Sequence, residues 1–176
     1  MDFLSRRTIR KYRDVKIENF KVNEILRTAL VSPSGKNTQP YEFIVVENKE
    51  VLKELSTCKK MGAQMLENAP LAIVVLGNPK LTDTWIEDCS IVSTIIQLKS
   101  YELGLGSCWI QTYGRFTSEG VSSEEYIRNL LNIPENLHVL NIVSIGYPAE
   151  SKRSYSDEDM DFSKVNYDKY GKKDNK

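Results

Sequence analysis

Residues Ser32–Glu47 read S-P-S-G-K-N-T-Q-P-Y-E-F-I-V-V-E. The first half is turn chemistry: Pro33, Gly35 and Pro40 forbid a helix, and Ser34, Asn37, Thr38 and Gln39 supply polar side chains. The second half, Tyr41–Val46, is rich in β-branched and aromatic residues and predicts a buried strand. A polar, amide-bearing loop aimed by a rigid strand is a common seat for binding groups, and an ordinary helix-to-strand connection fits the same residues. Ser34-Gly35-Lys36-Asn37 looks faintly like a P-loop. That motif needs a glycine five residues before Gly35 and a Ser or Thr after the lysine, where this chain has Leu30 and Asn37. The order helix–loop–strand is also the reverse of a P-loop, so nucleoside triphosphate binding by this stretch is excluded.

Upstream, Val22, Ile25, Leu26, Ala29 and Leu30 fall on one helical face, and Pro33 stops that helix. Asp2 can cap a short first helix through Arg7. Downstream, the pattern predicts a helix over Lys49–Thr57, an ambiguous segment over Lys59–Asn68, and a central strand over Leu71–Gly77. Thr82–Leu103 is the longest helical pattern. Ile91, Ile95, Ile96 and Leu98 are spread around it, which predicts a buried helix. Gly104 suits the residue just past its end. Gly104 and Gly106 then frame a strand over Ser107–Gln111, leaving room for either a ligand or another element to approach. Ser122 and Glu125 have capping-box spacing for a helix through Leu131, and Leu137–Gly146 is a third strong strand. From Ser154 the tail is too polar to form a core of its own, yet carries Tyr155, Phe162, Val165, Tyr167 and Tyr170. One domain over residues 1–176 is expected, with 154–176 as an arm that packs on this domain or on a second copy.

The chain has 176 residues, with 24 Lys+Arg against 24 Asp+Glu. That balance argues against a whole-protein electrostatic grip on nucleic acid or an anionic membrane. No apolar run is long enough to span a bilayer, and the N-terminus lacks a signal-peptide pattern. The three cysteines, Cys58, Cys89 and Cys108, form no C-x-x-C, so a reducing cytoplasm is the expected home. His138, the single histidine, lies in an apolar run and reads as structural. Neither a His-dependent nucleophile nor a metal centre has a supporting motif.

Against this balance the run Arg6, Arg7, Thr8, Arg10, Lys11, Arg13 is a local excess. It reads either as a solvated charged face or as an anion clamp, since guanidinium forks suit phosphate. Lys152 and Arg153 form a second basic pair. Arginines, neutral hydrogen-bonders and accessible backbone together would suit a ligand with an anionic end and a flat heteroaromatic end, such as flavin mononucleotide (FMN).

Four segments carry a resemblance: Arg6-Arg7-Thr8-Ile9-Arg10-Lys11-Tyr12, Ser32-Pro33-Ser34-Gly35-Lys36-Asn37-Thr38-Gln39-Pro40-Tyr41-Glu42-Phe43, Gly104-Leu105-Gly106-Ser107-Cys108-Trp109-Ile110 and Gly146-Tyr147-Pro148. In this order they resemble the successive motifs of the FMN-dependent nitroreductase family. The resemblance implies an α+β fold, an α/β/α sandwich whose mostly antiparallel sheet is flanked by helices, in an intertwined homodimer. It also implies FMN at the subunit interface, NADH or NADPH as reductant, and a small-molecule electron acceptor such as a nitroaromatic or quinone. Carried over by position, Arg6, Arg7, Thr8 and Arg10 would hold the phosphate and ribityl end, with Lys152 and Arg153 completing the clamp. Pro33, Ser34, Gly35, Asn37 and Gln39 would line the flavin from the partner subunit. Trp109 would join the cofactor-binding set, and Ile110 and Gln111 would place a backbone N–H near flavin N5. Two departures concern substrate access: little room exists between Gly77 and Ile91 for the helical insertion of many members, and Gln111-Thr112 follows Ile110 where many have glycine. Dehalogenation or dehydrogenation on the same scaffold, FMN storage or sensing without turnover, and a flavin-free interaction domain are the rival readings.

Overall fold

The computed structural model describes residues 2–173. The chain divides into two compact units, Thr8–Ser151 and Met1–Arg7 with Lys152–Lys176. The larger unit runs α1 (Asn19–Leu30), β1 (Tyr41–Val46), α2 (Lys49–Leu55), β2 (Leu71–Gly77), α3 (Trp85–Glu102), β3 (Gly106–Gln111), α4 (Ser123–Leu131) and β4 (His138–Gly146). The four strands form one sheet in the order β1-β2-β4-β3, and every pairing is antiparallel. Alternation along the strands sends successive side chains to opposite faces. Ile73, Val75, Val143 and Ile145 pack with α1 and α3, whereas Ala72, Val74, Leu76 and Ile142 pack on the other face with Leu52 and Leu55 of α2 and Ile127 of α4. The result is the expected α/β/α sandwich. Helices on both faces explain why Leu71–Gly77 is buried at every position and reads as one continuous apolar run.

Several local expectations change. Residues 3–5 form a turn rather than a helix: Asp2 Oδ1 accepts a bond from the Leu4 N–H at 2.9 Å, and the arginines that follow are not helical. The Ser32–Pro40 loop contains a 3-10 turn at Gly35–Asn37, and Lys59–Asn68 resolves into irregular chain followed by a 3-10 turn at Gln64–Asn68. Ser122 occupies the position before α4, but its side chain makes no capping bond. Leu30, assigned to the core face of α1, is exposed. The longest helix is not buried all round either. Trp85, Cys89, Val92 and Ile96 face the core, while Ile86 and Ile91 are exposed.

In the smaller unit the Tyr155 N–H donates to the Leu4 carbonyl at 2.8 Å, tying its two chain segments together. Short 3-10 turns at Asp157–Asp159 and Phe162–Lys164 are its regular structure, and its large apolar side chains remain exposed.

Candidate functional site

The loop before β1 is held in a costly shape. Lys36, Asn37 and Gln39 have φ of 51°, 56° and 45°, the left-handed region that non-glycine residues rarely occupy. A set of internal bonds keeps them there. The Gly35 N–H donates to Asp88 Oδ1 at 2.8 Å, and Thr84 Oγ1 donates to Asp88 Oδ2 at 3.1 Å. Asp88 lies on α3 and is 3% exposed, so this carboxylate is a buried anchor. Gly35 is required because a Cβ there would stand 2.8 Å from Thr84 Oγ1. Ser34 Oγ accepts the Gln39 N–H at 2.8 Å, Thr38 Oγ1 donates to the Gly35 carbonyl at 2.9 Å, and Tyr41 OH donates to the Ser32 carbonyl at 2.6 Å. Ser34 and Gly35 thus build the loop, while Pro33, Asn37 and Gln39 are exposed on it. Such strain, over-determined by its surroundings, is characteristic of binding sites.

The segment after Arg7 lies along the sheet edge. Thr8 forms a parallel bridge to Ser107, and the Ile9 N–H donates to the Ser107 carbonyl at 3.0 Å. Gly106 is glycine for this reason: a Cβ would come within 2.7 Å of Ile9. The room predicted around Gly106 therefore serves another element. Glu150 Oε1 accepts the Arg10 and Lys11 N–H groups at 2.6 and 3.2 Å, leaving the Arg10 residue exposed. This bond to Glu150 fixes the backbone beneath the Arg10 guanidinium.

β3 is the edge strand beside that segment. In an antiparallel ladder, alternate residues direct their N–H and C=O groups to opposite sides. The Ser107 carbonyl points outward to Ile9, so Trp109 and Gln111 also point outward, while Ile110 faces β4 across from Ile142. Of the two N–H groups expected near the flavin, that of Ile110 is directed into the sheet and that of Gln111 is directed to the open side. The outward Gln111 carbonyl accepts from Lys59 Nζ at 3.1 Å, in agreement with this assignment. The Gln111 side chain is tied to Trp109 Nε1 at 3.0 Å and to the Tyr113 carbonyl at 3.2 Å.

In the smaller unit, the Arg7 guanidinium donates to the Arg153 carbonyl and lies 4.3 Å from the centre of the Tyr155 ring. Arg153 makes two 2.7 Å bonds to the Asp159 carboxylate. That guanidinium holds Asp159 far below the usual carboxylate range, with the Ser156 N–H assisting. Arg153 is therefore already paired, and Asp159 would have to yield before it could bind a phosphate.

Other chemistry is absent or structural. Among the described residues no group of three or more His, Cys, Asp or Glu is placed to hold a metal ion. All three cysteines are buried, and burial pushes the Cys58 and Cys89 thiols up to about 12. His138 Nδ1 lies 2.7 Å from Glu124 Oε1, which also accepts from Arg128 Nη2 at 2.9 Å, and its ring leans on Trp85. A groove of about 740 Å³ lined by Tyr12, Lys16, Glu47, Lys49, Lys53 and Glu67 includes none of the candidate cofactor-binding residues. Asp88, Thr84, Lys59 and Glu150 are not among the residues the sequence points to, because their roles depend on partners distant in the chain. A carboxylate one turn into a largely apolar helix was the only signal for Asp88.

The donor set fits FMN. Exposed carboxamides at Asn37 and Gln39 and the outward Gln111 N–H suit a ring edge that both donates and accepts, and arginine suits its phosphate. The nitroreductase family model matches residues 4–58 and 55–147, and the chain belongs to that family. It is 42% identical over 159 residues to an Archaeoglobus fulgidus protein named "Putative NADH dehydrogenase/NAD(P)H nitroreductase", with 88% of each chain covered. A Methanothermobacter thermautotrophicus protein of the same name is 37% identical over 150 residues, covering 84% of this chain and 75% of the relative. The solved structure of an FMN-dependent nitroreductase from Clostridium difficile R20291 has a TM-score of 0.93 and 46% identity, covering 95% of this chain and 97% of that one. Among the described residues no helix is long and apolar enough to cross a membrane.

Proposed function

We propose that this protein is an FMN-dependent NAD(P)H oxidoreductase that works as a homodimer and reduces a small-molecule acceptor such as a nitroaromatic or quinone. The observation that carries this reading is the strained loop: Asn37 and Gln39 project from a left-handed backbone that buried Asp88 holds in place. The names of the relatives support it. By the family resemblance Arg6, Arg7, Thr8 and Arg10 would take the phosphate and ribityl end, with Lys152 and Arg153 completing the clamp, Arg153 only in exchange for Asp159. Pro33, Ser34, Gly35, Asn37 and Gln39 line the ring from the partner subunit, and Trp109–Gln111 border it. Of that stretch the Gln111 N–H is the donor toward N5, because the Ile110 N–H faces β4. Bound there, FMN would supply the hydride chemistry that links a reduced nicotinamide to the acceptor. The protein positions the ring, excludes water from its covered face and places donors where negative charge accumulates.

The test is titration of flavin-free protein with FMN and with riboflavin, followed by NADH or NADPH oxidation with an added quinone. Tight FMN binding, weaker riboflavin binding and acceptor-dependent oxidation support the reading. FMN binding without turnover would make the protein a storage or sensing module. A protein that binds neither flavin would overturn the reading.

A further inference from the structure

Two loops meet beside the outward edge of Gln111. Lys59 Nζ donates to the Gln111 carbonyl at 3.1 Å, and the Lys60 N–H donates to the Phe116 carbonyl at 2.9 Å. One loop reads Lys59-Lys60-Met61-Gly62 and the other Tyr113-Gly114-Arg115-Phe116. Among the described residues, none of Lys59, Lys60 and Arg115 has a carboxylate within ion-pair distance. In a chain with 24 basic and 24 acidic residues, three unpaired cations in two touching loops are a local excess. Burial lowers the Lys59 pKa, and the charge of Arg115 lowers it further, as expected where cations crowd without an anion. Two large apolar side chains on these loops are exposed, Met61 by 74% and Phe116 by 58%, whereas the Tyr113 ring packs edge-on against Trp85.

We propose that these loops form a subsite for an aromatic acid, with Lys60 and Arg115 taking its anionic group and Phe116 and Met61 taking its ring. The subsite narrows the electron acceptor to a reducible aromatic, such as a nitroaromatic, that also carries an anionic group, and it rests on the flavin reading through Gln111, the residue proposed to border the ring. Cations on loops that also expose Phe116 and Met61 match a flat ring carrying one negative charge. Inorganic phosphate would use the charges but leave the apolar side chains in water. Lys59 is spent on the Gln111 carbonyl and acts as a positioning residue for that backbone.

The experiment uses 2-naphthoate and its neutral analogue 2-naphthamide, which have the same ring and differ in charge. Their binding is measured by calorimetry on the FMN-loaded wild type and on a Lys60→Gln/Arg115→Gln double variant, with sedimentation and thermal melting of both. The wild type should prefer naphthoate by about tenfold, the scale of a charged hydrogen bond, and the preference should shrink with added salt. The double variant should lose it while melting as the wild type does. Equal binding of the two probes to the wild type would overturn the proposal, as would a preference that survives in the double variant. A change of oligomeric state in the double variant, with no wild-type preference, would assign the patch to a second copy and also overturn it. If naphthoate fails while FMN binds tightly, only the subsite falls; if FMN itself does not bind, the flavin reading falls.

Discussion

The Gly35 N–H donates to Asp88 Oδ1 at 2.8 Å, joining the loop before β1 to the buried side of α3 across a separation of 53 residues. The bond sets the geometry from which Asn37 and Gln39 project, so Asp88 is expected to matter for both folding and flavin binding. Asp88→Ala leaves the Gly35 N–H and the Thr84 hydroxyl without their buried acceptor, and should cost roughly 1.5–3 kcal/mol in denaturant unfolding together with a loss of FMN affinity. Asp88→Asn keeps one oxygen for Gly35 and should lose less of both. Equal stability and equal FMN affinity in wild type and Asp88→Ala would remove the anchor from the account.

Strain and binding should separate within that loop. Glycine at position 36 relieves a left-handed backbone without removing an amide side chain, so Lys36→Gly should hold or raise stability, by up to about 1 kcal/mol, with FMN affinity unchanged. Asn37→Ala and Gln39→Ala should instead weaken FMN or shift the flavin midpoint potential. If all three variants behaved alike in FMN titration and potentiometry, the loop would be an ordinary connection.

Most of this fold can be read directly from the sequence because its signals are local. The apolar run Leu71–Gly77, the strand signal after Pro40 and Leu137–Gly146 each identify a strand within a few residues. What escapes depends on partners far along the chain. Asp88 acquires a role only beside Gly35, and Arg153 loses its free charge only beside Asp159. Ser122 has the spacing of a capping box with Glu125, yet its side chain makes no capping bond. The isoleucines around α3 suggested a helix buried on all sides. Sequence alone cannot distinguish apolar surface buried within one chain from surface that a single chain leaves exposed, as it does at Ile86 and Ile91.

Those exposed side chains lead to a prediction about assembly. Ile86, Ile91, Leu30 and Val31 lie on α3 and at the end of α1, and covering such side chains gains about 1.5–3 kcal/mol for each one fully buried. Ile91→Lys should shift sedimentation from dimer toward monomer and weaken FMN in parallel. A chain cut after Arg153 should retain the sheet but bind FMN less tightly. A full-length monomer with high FMN affinity would remove the shared site; a truncated dimer with normal affinity would remove only the arm.

Thiol chemistry gives a sign-specific check. Burial pushes Cys58 and Cys89 up to about 12, so at pH 8 both are neutral thiols and poor nucleophiles. Mass spectrometry of the native protein after iodoacetamide treatment should find both unmodified, with modification appearing once denaturant opens the core. Rapid native alkylation of either would contradict the burial described here.

The proposed phosphate assignment rests on Arg10, whose backbone Glu150 fixes and whose side chain is exposed. The most direct measurement is a paired titration of wild type and Arg10→Ala with FMN and riboflavin, read by flavin fluorescence quenching. The account predicts that Arg10→Ala weakens FMN by about 1.5–3 kcal/mol and riboflavin far less, because only FMN carries the phosphate. Equal losses for the two flavins, or no loss for either, would contradict it.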